Sequence, residues 1–342
     1  MAEIHPAIRG LPNVFFHYFP ELQSHPLPEE RLADCTQCPM SHPSPSRPWH
    51  FLEEVRCCNY HPSLPNHTVG RILLDGGLGA ERVSALIQGN KGIESKGVMV
   101  PPDWRKHYLE LRLVEDFGQI PACRCPYWKG GELACSIWNH RDAVCRTWHC
   151  KHGAGMDGAK TWLQIRELLH FVEFGLAEWC IHTLGECTAD SLEGWSKYFK
   201  ECADLVEHAA QTGQYPVLEG RVDEEREALR ARLSTQDRPI PPLLVSRVSG
   251  FETFENHVHI HGYSIFDGAE FPRSVFFFLA RLDGETPWRT ALTETQLEAP
   301  DFTESHVVAL FRIGAIDEVD ADWYEKGNSV HGPLLESTSS NR

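Results

Sequence analysis

Apolar residues return at helical intervals through the middle of the chain. In DGAKTWLQIRELLHFVEFGLAEWCIHTLG, Trp162, Ile165, Leu169, Val172 and Leu176 recur at three- and four-residue steps and share one face of a predicted helix. Gly185 supplies its stop. Beyond it, Asp190 or Ser191 can cap a second helix, in which Leu192, Trp195, Phe199, Cys202, Leu205 and Val206 repeat the period. The charged stretch VDEEREALRARLS reads as a third, solvent-facing helix. Upstream, TVGRILLDGGLGAERVSALIQGN has helix-like apolar spacing interrupted by Gly76, Gly77 and Gly79, whereas residues 91–119 give no readable period.

The two ends differ from this helical middle. Residues 1–50 are rich in proline and histidine and read as irregular chain, because proline fixes φ and removes a helix donor. TQDRPIPPLL marks a domain boundary on the same ground. After it, HVHIHGYSIF alternates as a strand does. FPRSVFFFLARLDGE and TESHVVALFRIGAIDE read as helices followed by turns, and GAIDEV as a closing strand. That order predicts a small α+β, winged-helix-like domain over residues 240–326, with residues 327–342 a disordered tail.

Composition narrows the function classes. The 342 residues are 42% hydrophobic and 23% charged, with a net charge of −16. The longest apolar runs fall far short of the roughly 20 residues a bilayer requires. The opening MAEIHPAIRG lacks a charged start leading into an apolar segment, so a cytoplasmic location is expected. No Lys/Arg block of the kind that neutralises phosphates is present, which argues against nucleic acid and anionic membranes as partners. From Ile240 to Lys326 six Lys/Arg stand against fifteen Asp/Glu, a net of −9.

A cytosolic chain with twelve cysteines points to metal or redox chemistry, since thiols there are kept reduced. Nine of them precede residue 151, in CTQC (Cys35, Cys38), RCCNYHP (Cys57, Cys58), CRCPYW (Cys123, Cys125) and CSIWNHRDAVCRTWHC (Cys135, Cys145, Cys150). Soft thiolates favour zinc or iron–sulfur clusters, and four of them close a tetrahedral site or hold a cluster. The candidate metal ligands are Cys35, Cys38, Cys57, Cys58, Cys125, Cys135, Cys145 and Cys150. Adjacent side chains diverge, so one of Cys57 and Cys58 can instead belong to the core, and Cys125 is preferred to Cys123. Arg141 and Arg146 are candidates to offset thiolate charge and to donate to sulfur, and Trp138 and Trp148 to exclude water. His61, His149 and His152 are alternative ligands. Cys180, Cys187 and Cys202 lie in or beside amphipathic helices and read as small buried hydrophobes.

CSIWNHRDAVCRTWHC resembles the signature of the YkgJ-type cysteine-cluster family of zinc- or iron-chelating proteins, with Cys135, Ile137, Trp138, Arg141, Cys145, Arg146, Trp148 and Cys150 on its pattern. Asp142 stands where that pattern has proline. CPYW at Cys125 resembles the family's isolated central cysteine, and CTQC with RCC its first cluster, split by an insertion. The resemblance spans Cys35 to Cys150 and implies a bound metal without implying a reaction. It extends distantly to flagellin lysine methylases, which carry an iron–sulfur cluster and use S-adenosylmethionine. No glycine-rich loop after a strand supports a Rossmann-type cofactor site here; LLDGGLGAER is a lone glycine cluster. The C-terminal domain resembles PqqD-like peptide-recognition modules, which implies a peptide or protein partner.

His257, His259 and His261 share one face of the predicted strand. They read as an exposed face, because no nearby carboxylate completes a ligand set with them. The sequence therefore predicts a mainly α protein with irregular cysteine-rich loops around a metal site over residues 1–235, followed by the winged-helix-like domain. Its expected cofactor is an iron–sulfur cluster or Zn(II). Its expected function is a cluster-dependent modifying or redox enzyme acting on a peptide or protein, or a structural-zinc adaptor without catalysis. No nucleophile–base pair stands out, so no catalytic residue is assigned.

Overall fold

The structure, a computed structural model, describes residues 8, 11–28, 30, 38–43, 50–130, 135–218, 222–234, 238–264 and 266–319. About half of the described residues are helical, and the strands form three small antiparallel sheets. The first elements among the described residues are α1 (Asn13–Tyr18) and α2 (Glu21–Ser24), followed by β1 (Leu64–Pro65), α3 (Asn66–Asp75) and α4 (Gly77–Gln88). A short hairpin of β2 (Ile93–Glu94) and β3 (Gly97–Val98) precedes α5 (Pro102–Leu111). The short α6 (Ala143–Thr147) leads into three long helices, α7 (Gly155–Leu184), α8 (Leu192–Thr212) and α9 (Val222–Ser234).

The helix α7 is the axis of the first core. Trp162, Ile165, Leu168, Leu169, Val172, Leu176 and Cys180 are all buried along it, and it ends where Gly185 takes a φ of 84°. Of the two candidate caps of α8, Ser191 is the one used: its hydroxyl accepts from Gly194 N at 3.2 Å. The helical stretch interrupted at Gly76 is two helices, because Gly76 and Gly77 sit at φ 72° and 67°, a region closed to other residues without strain. Helices α3 and α8 touch through Gly70, where a Cβ would stand 1.9 Å from Phe199 O. The charged α9 buries only Leu229, yet Arg230 pairs at 2.6 Å with Glu21, which is 2% exposed. Cys180 and Cys202 are buried in this core and Cys187 packs against it.

A separate core begins after residue 240. Its elements are β4 (Leu243–Ser246), β5 (Gly250–Thr253), β6 (His257–His261), β7 (Ala269–Pro272), α10 (Val275–Leu279), β8 (Asp283–Pro287), α11 (Trp288–Glu298), α12 (Glu304–Arg312) and β9 (Ile316–Asp317). One sheet has the order β8-β4-β9, the other β5-β6-β7. Val258 and Ile260 of β6 join Phe271, Phe278, Trp288 and Leu310 inside. Neither β4, β8 nor α11 is read from the sequence: β4 and β8 are short and half-exposed, and α11 buries a Trp–Ala–Leu–Thr face that carries little apolar contrast. His259 and His261 correct a prediction, being 7% and 8% exposed where an exposed face is expected.

The two cores are tied by charge. Arg238 donates to Asp157 (3.3 Å), Asp317 (2.8 Å) and Glu318 (3.1 Å), and Lys160 lies 3.5 Å from the fully buried Asp317. No described helix is long and apolar enough to cross a membrane. The predicted tail lies outside the described residues.

Candidate metal centre

Three loop segments and one short helix bring five thiols to a single cavity. Its volume is about 740 Å³, part of it open to solvent, and Cys57, Cys58, Cys125, Cys135 and Cys145 line it together. Each loop is held by a bond that its own sequence supplies. Cys125 N donates to Cys58 O at 2.7 Å, joining the vicinal pair to the central cysteine. Cys135 forms a β-bridge with Trp128, and Ser136 N donates to Tyr127 O at 2.9 Å. The buried Asn59 acts as a clasp, its Oδ1 accepting from Gly118 N (2.8 Å) and Ile120 N (3.0 Å) while its amide donates to Ile120 O (2.6 Å).

Cys145 is presented by α6, and Asp142 is the cap. One Asp142 oxygen accepts from Cys145 N at 2.9 Å and the other from the Tyr60 hydroxyl at 3.0 Å. Glu173 on α7 accepts from Ala143 N at 3.2 Å, so α6 is anchored from both sides. Burial raises the Asp142 carboxyl above the usual range and carries that of Glu173 up to about 8.

Two guanidinium groups flank the thiols. Arg141 lines the cavity, lies 3.7 Å from the Trp138 ring centre and donates to Cys145 O at 3.0 Å. Arg56, beside Cys57, is 7% exposed, and its Nε and Nη1 are buried with no hydrogen-bond partner among the described residues. Its backbone takes a φ of 55°, fixed by a 2.8 Å bond from Arg56 N to Leu52 O. Arg146 is turned away from the cavity: its Nε donates to Arg141 O at 2.7 Å, and burial lowers its pKa to about 10. It fixes the Arg141 loop and does not line the thiol cavity.

The thiols themselves are held unevenly. Burial, together with the charge of Asp142 and the neighbouring thiols, pushes Cys145 far up, and burial also raises Cys125 and Cys135. Cys57 is the exception, lowered by the hydrogen bond from Cys58 and by the nearby Arg141 and Arg56. The charge on such a set is costly unless a cation sits among the sulfurs.

The other candidates lie elsewhere. Cys38 and Cys150 pack with Cys57 and Trp148 against Met40, Phe51, Phe117 and Phe266, and do not line the five-thiol cavity. Cys35 lies outside the described residues. Cys123 faces Tyr108 and Ile120 in a separate small cluster. His61 is buried beside Trp104, its pKa lowered by burial to about 4, while His149 and His152 line a smaller pocket with Trp162. Among the described residues no group of three or more His, Cys, Asp or Glu, as placed, could hold a metal ion. Arg56, Asn59, Tyr60, Asp142 and Glu173 escape the sequence reading as site residues. Only Asp142 leaves a signal, as an Asp three residues before Cys145 at a helix start.

No family model matches the chain, nor does any curated protein or solved structure.

Proposed function

We propose that the five-thiol cavity receives an iron–sulfur cluster, held by Cys125, Cys135, Cys145 and one of the Cys57–Cys58 pair. The observation that carries this is the convergence of five thiols from separate segments on one cavity. Two thiolates on a single tetrahedral Zn²⁺ stand about 3.8 Å apart, from bonds near 2.3 Å. A cluster inserts several irons between its cysteines and takes a wider set, which suits thiols that ring a cavity without closing on one ion. The donor chemistry also fits: Arg56 and Arg141 supply positive charge beside an anionic cluster, and Trp138, Trp148 and Phe117 supply apolar wall.

A bound cluster supplies one-electron chemistry at a potential set by charge, hydrogen bonds and solvent access. The chain's own part is to hold Cys145 at the end of a capped helix, to limit water with aromatic rings, and to keep Arg141 on the Cys145 carbonyl. On this reading the protein is a cluster-dependent modifying or redox enzyme of the YkgJ-like kind acting on a peptide or protein. The C-terminal unit supports it: the order helix, strand, two helices and a strand, with β4 between β8 and β9, is compatible with a winged-helix-like reading of this unit. Its net charge of −9 suits a peptide or protein partner better than nucleic acid.

Anaerobic purification followed by absorption spectroscopy and analysis for iron, zinc and sulfide tests the proposal. Brown protein with iron and acid-labile sulfide is expected, and Cys145→Ser should lose both and melt at lower temperature. Stoichiometric zinc in a colourless protein would replace the reading with a structural-zinc adaptor. Unchanged metal content in Cys145→Ser would remove the cavity from consideration.

A further inference from the structure

Tyr127, in CPYW, is completely buried, with its ring in the core built on α7. The backbone fixes its place: Ser136 N donates to Tyr127 O at 2.9 Å, next to the bridge between Trp128 and Cys135. The side chain lines the thiol cavity, and the charges that act on its hydroxyl belong to Cys125, Asp142 and Cys135. That hydroxyl is buried with no hydrogen-bond partner among the described residues. Phenylalanine would fill the same space without burying a polar atom, so the oxygen requires a reason.

The rest of the wall fixes the chemistry of a partner. Asp142 already accepts from Cys145 N and from the Tyr60 hydroxyl, and Arg141 donates to Cys145 O and, at 3.2 Å, to Trp138 O. Trp148 Nε1 also lines the cavity, buried and without a partner among the described residues, and an indole nitrogen only donates. The acceptor on this wall is thus engaged while two donors are not, which suits a guest that carries acceptors. The main chain already serves sulfur here: Tyr127 N–H donates to the Cys125 sulfur and Ile137 N–H to the Cys135 sulfur. Thiolate and inorganic sulfide are the acceptors that an iron–sulfur cluster presents.

We propose that the Tyr127 hydroxyl donates a hydrogen bond to a sulfur of the cluster on its Cys125–Cys135 side, and so raises the reduction potential. This rests on the cluster reading above. A hydrogen bond to sulfur offsets negative charge and favours the reduced form, which carries more of it. Tyr127 tunes the centre, a role that packing of the ring alone does not supply.

Tyr127→Phe, which removes the oxygen and keeps the ring, is compared with the natural full-length protein, both purified anaerobically. Redox titration followed by absorption and electron paramagnetic resonance gives the potentials. Resonance Raman spectra in H₂O and in D₂O give the iron–sulfur stretching modes. Expected are equal iron and sulfide in the two proteins, a more negative potential in Tyr127→Phe, and a smaller D₂O-induced shift of its stretching modes. Equal iron and sulfide with an unshifted potential, or D₂O shifts of the same size in both, would overturn the proposal. Loss of iron confined to the variant would also overturn it, giving the hydroxyl to the fold instead. Absence of iron and sulfide from the natural protein would fail the cluster reading itself, and this proposal with it.

Discussion

Asp142 and Arg56 show how single side chains set up the thiol cavity. Asp142 caps α6 and accepts from Tyr60, so Asp142→Ala removes both bonds, whereas Asn can still cap. Chemical denaturation should show a loss of about 1–2 kcal/mol for Asp142→Ala and less for Asp142→Asn. Arg56 brings a buried positive charge beside Cys57. With a cluster bound, Arg56→Gln should make its reduction potential more negative in protein-film voltammetry, because a cation that stabilises the added electron is gone. Glu173 carries a pH dependence. Its carboxyl titrates at about 8 when folded, against 4.5 ordinarily, so the folded state holds a proton that the unfolded state releases. Its contribution to stability is therefore full below pH 4.5 and declines as pH rises to about 8. Glu173→Gln should flatten the fall in melting temperature over that window, and an unchanged profile would show that other groups carry it.

Between elements, close approach depends on what is left out of the side chains. At Gly70, α3 meets α8 with no space for a methyl group, and the atom in the way is backbone. Gly70→Ala must push the two helices apart, at a cost of about 3 kcal/mol, the upper end for overpacking. Calorimetry should show it, with no change at the C-terminal core. The α7–α8 turn was legible for the same kind of reason: a glycine stop and a Ser cap act within a few residues of themselves. The split between α3 and α4 was half legible. Gly76 and Gly77 are visible in the sequence, but an interrupted helix and two helices at an angle look alike until φ is known.

For the whole molecule, Arg238 is the joint between the two cores. It contacts three carboxylates drawn from α7 and from the end of the second unit, and Asp317 among them is fully buried. Arg238→Ala leaves that carboxylate with Lys160 as its remaining cation, a loss of about 1.5–3 kcal/mol for the charged hydrogen bond removed. Scanning calorimetry should resolve two transitions in the variant where the parent shows one. Persistence of a single unshifted transition would mean that apolar contact, through Met156, Ala159 and Tyr263, holds the units together instead.

The sequence by itself determined what local chemistry can encode. The period of α7 and α8, the stop at Gly185 and the crowding of thiols between Cys57 and Cys145 were all legible, because helical period, caps and soft ligands act over short spans. Tertiary structure alone decided which thiols share a cavity. Cys125 and Cys58 are distant in sequence, and a single backbone hydrogen bond brings them together. It also decided that Cys38 and Cys150 pack in the neighbouring aromatic cluster, that Arg146 braces a loop, and that the histidines of β6 are buried beside a carboxylate from β5. The alternation HVHIH states which residues share a face. What covers that face, and which acid stands across from it, is set by strand register and by the folding of one unit against another, and neither is written in the strand itself.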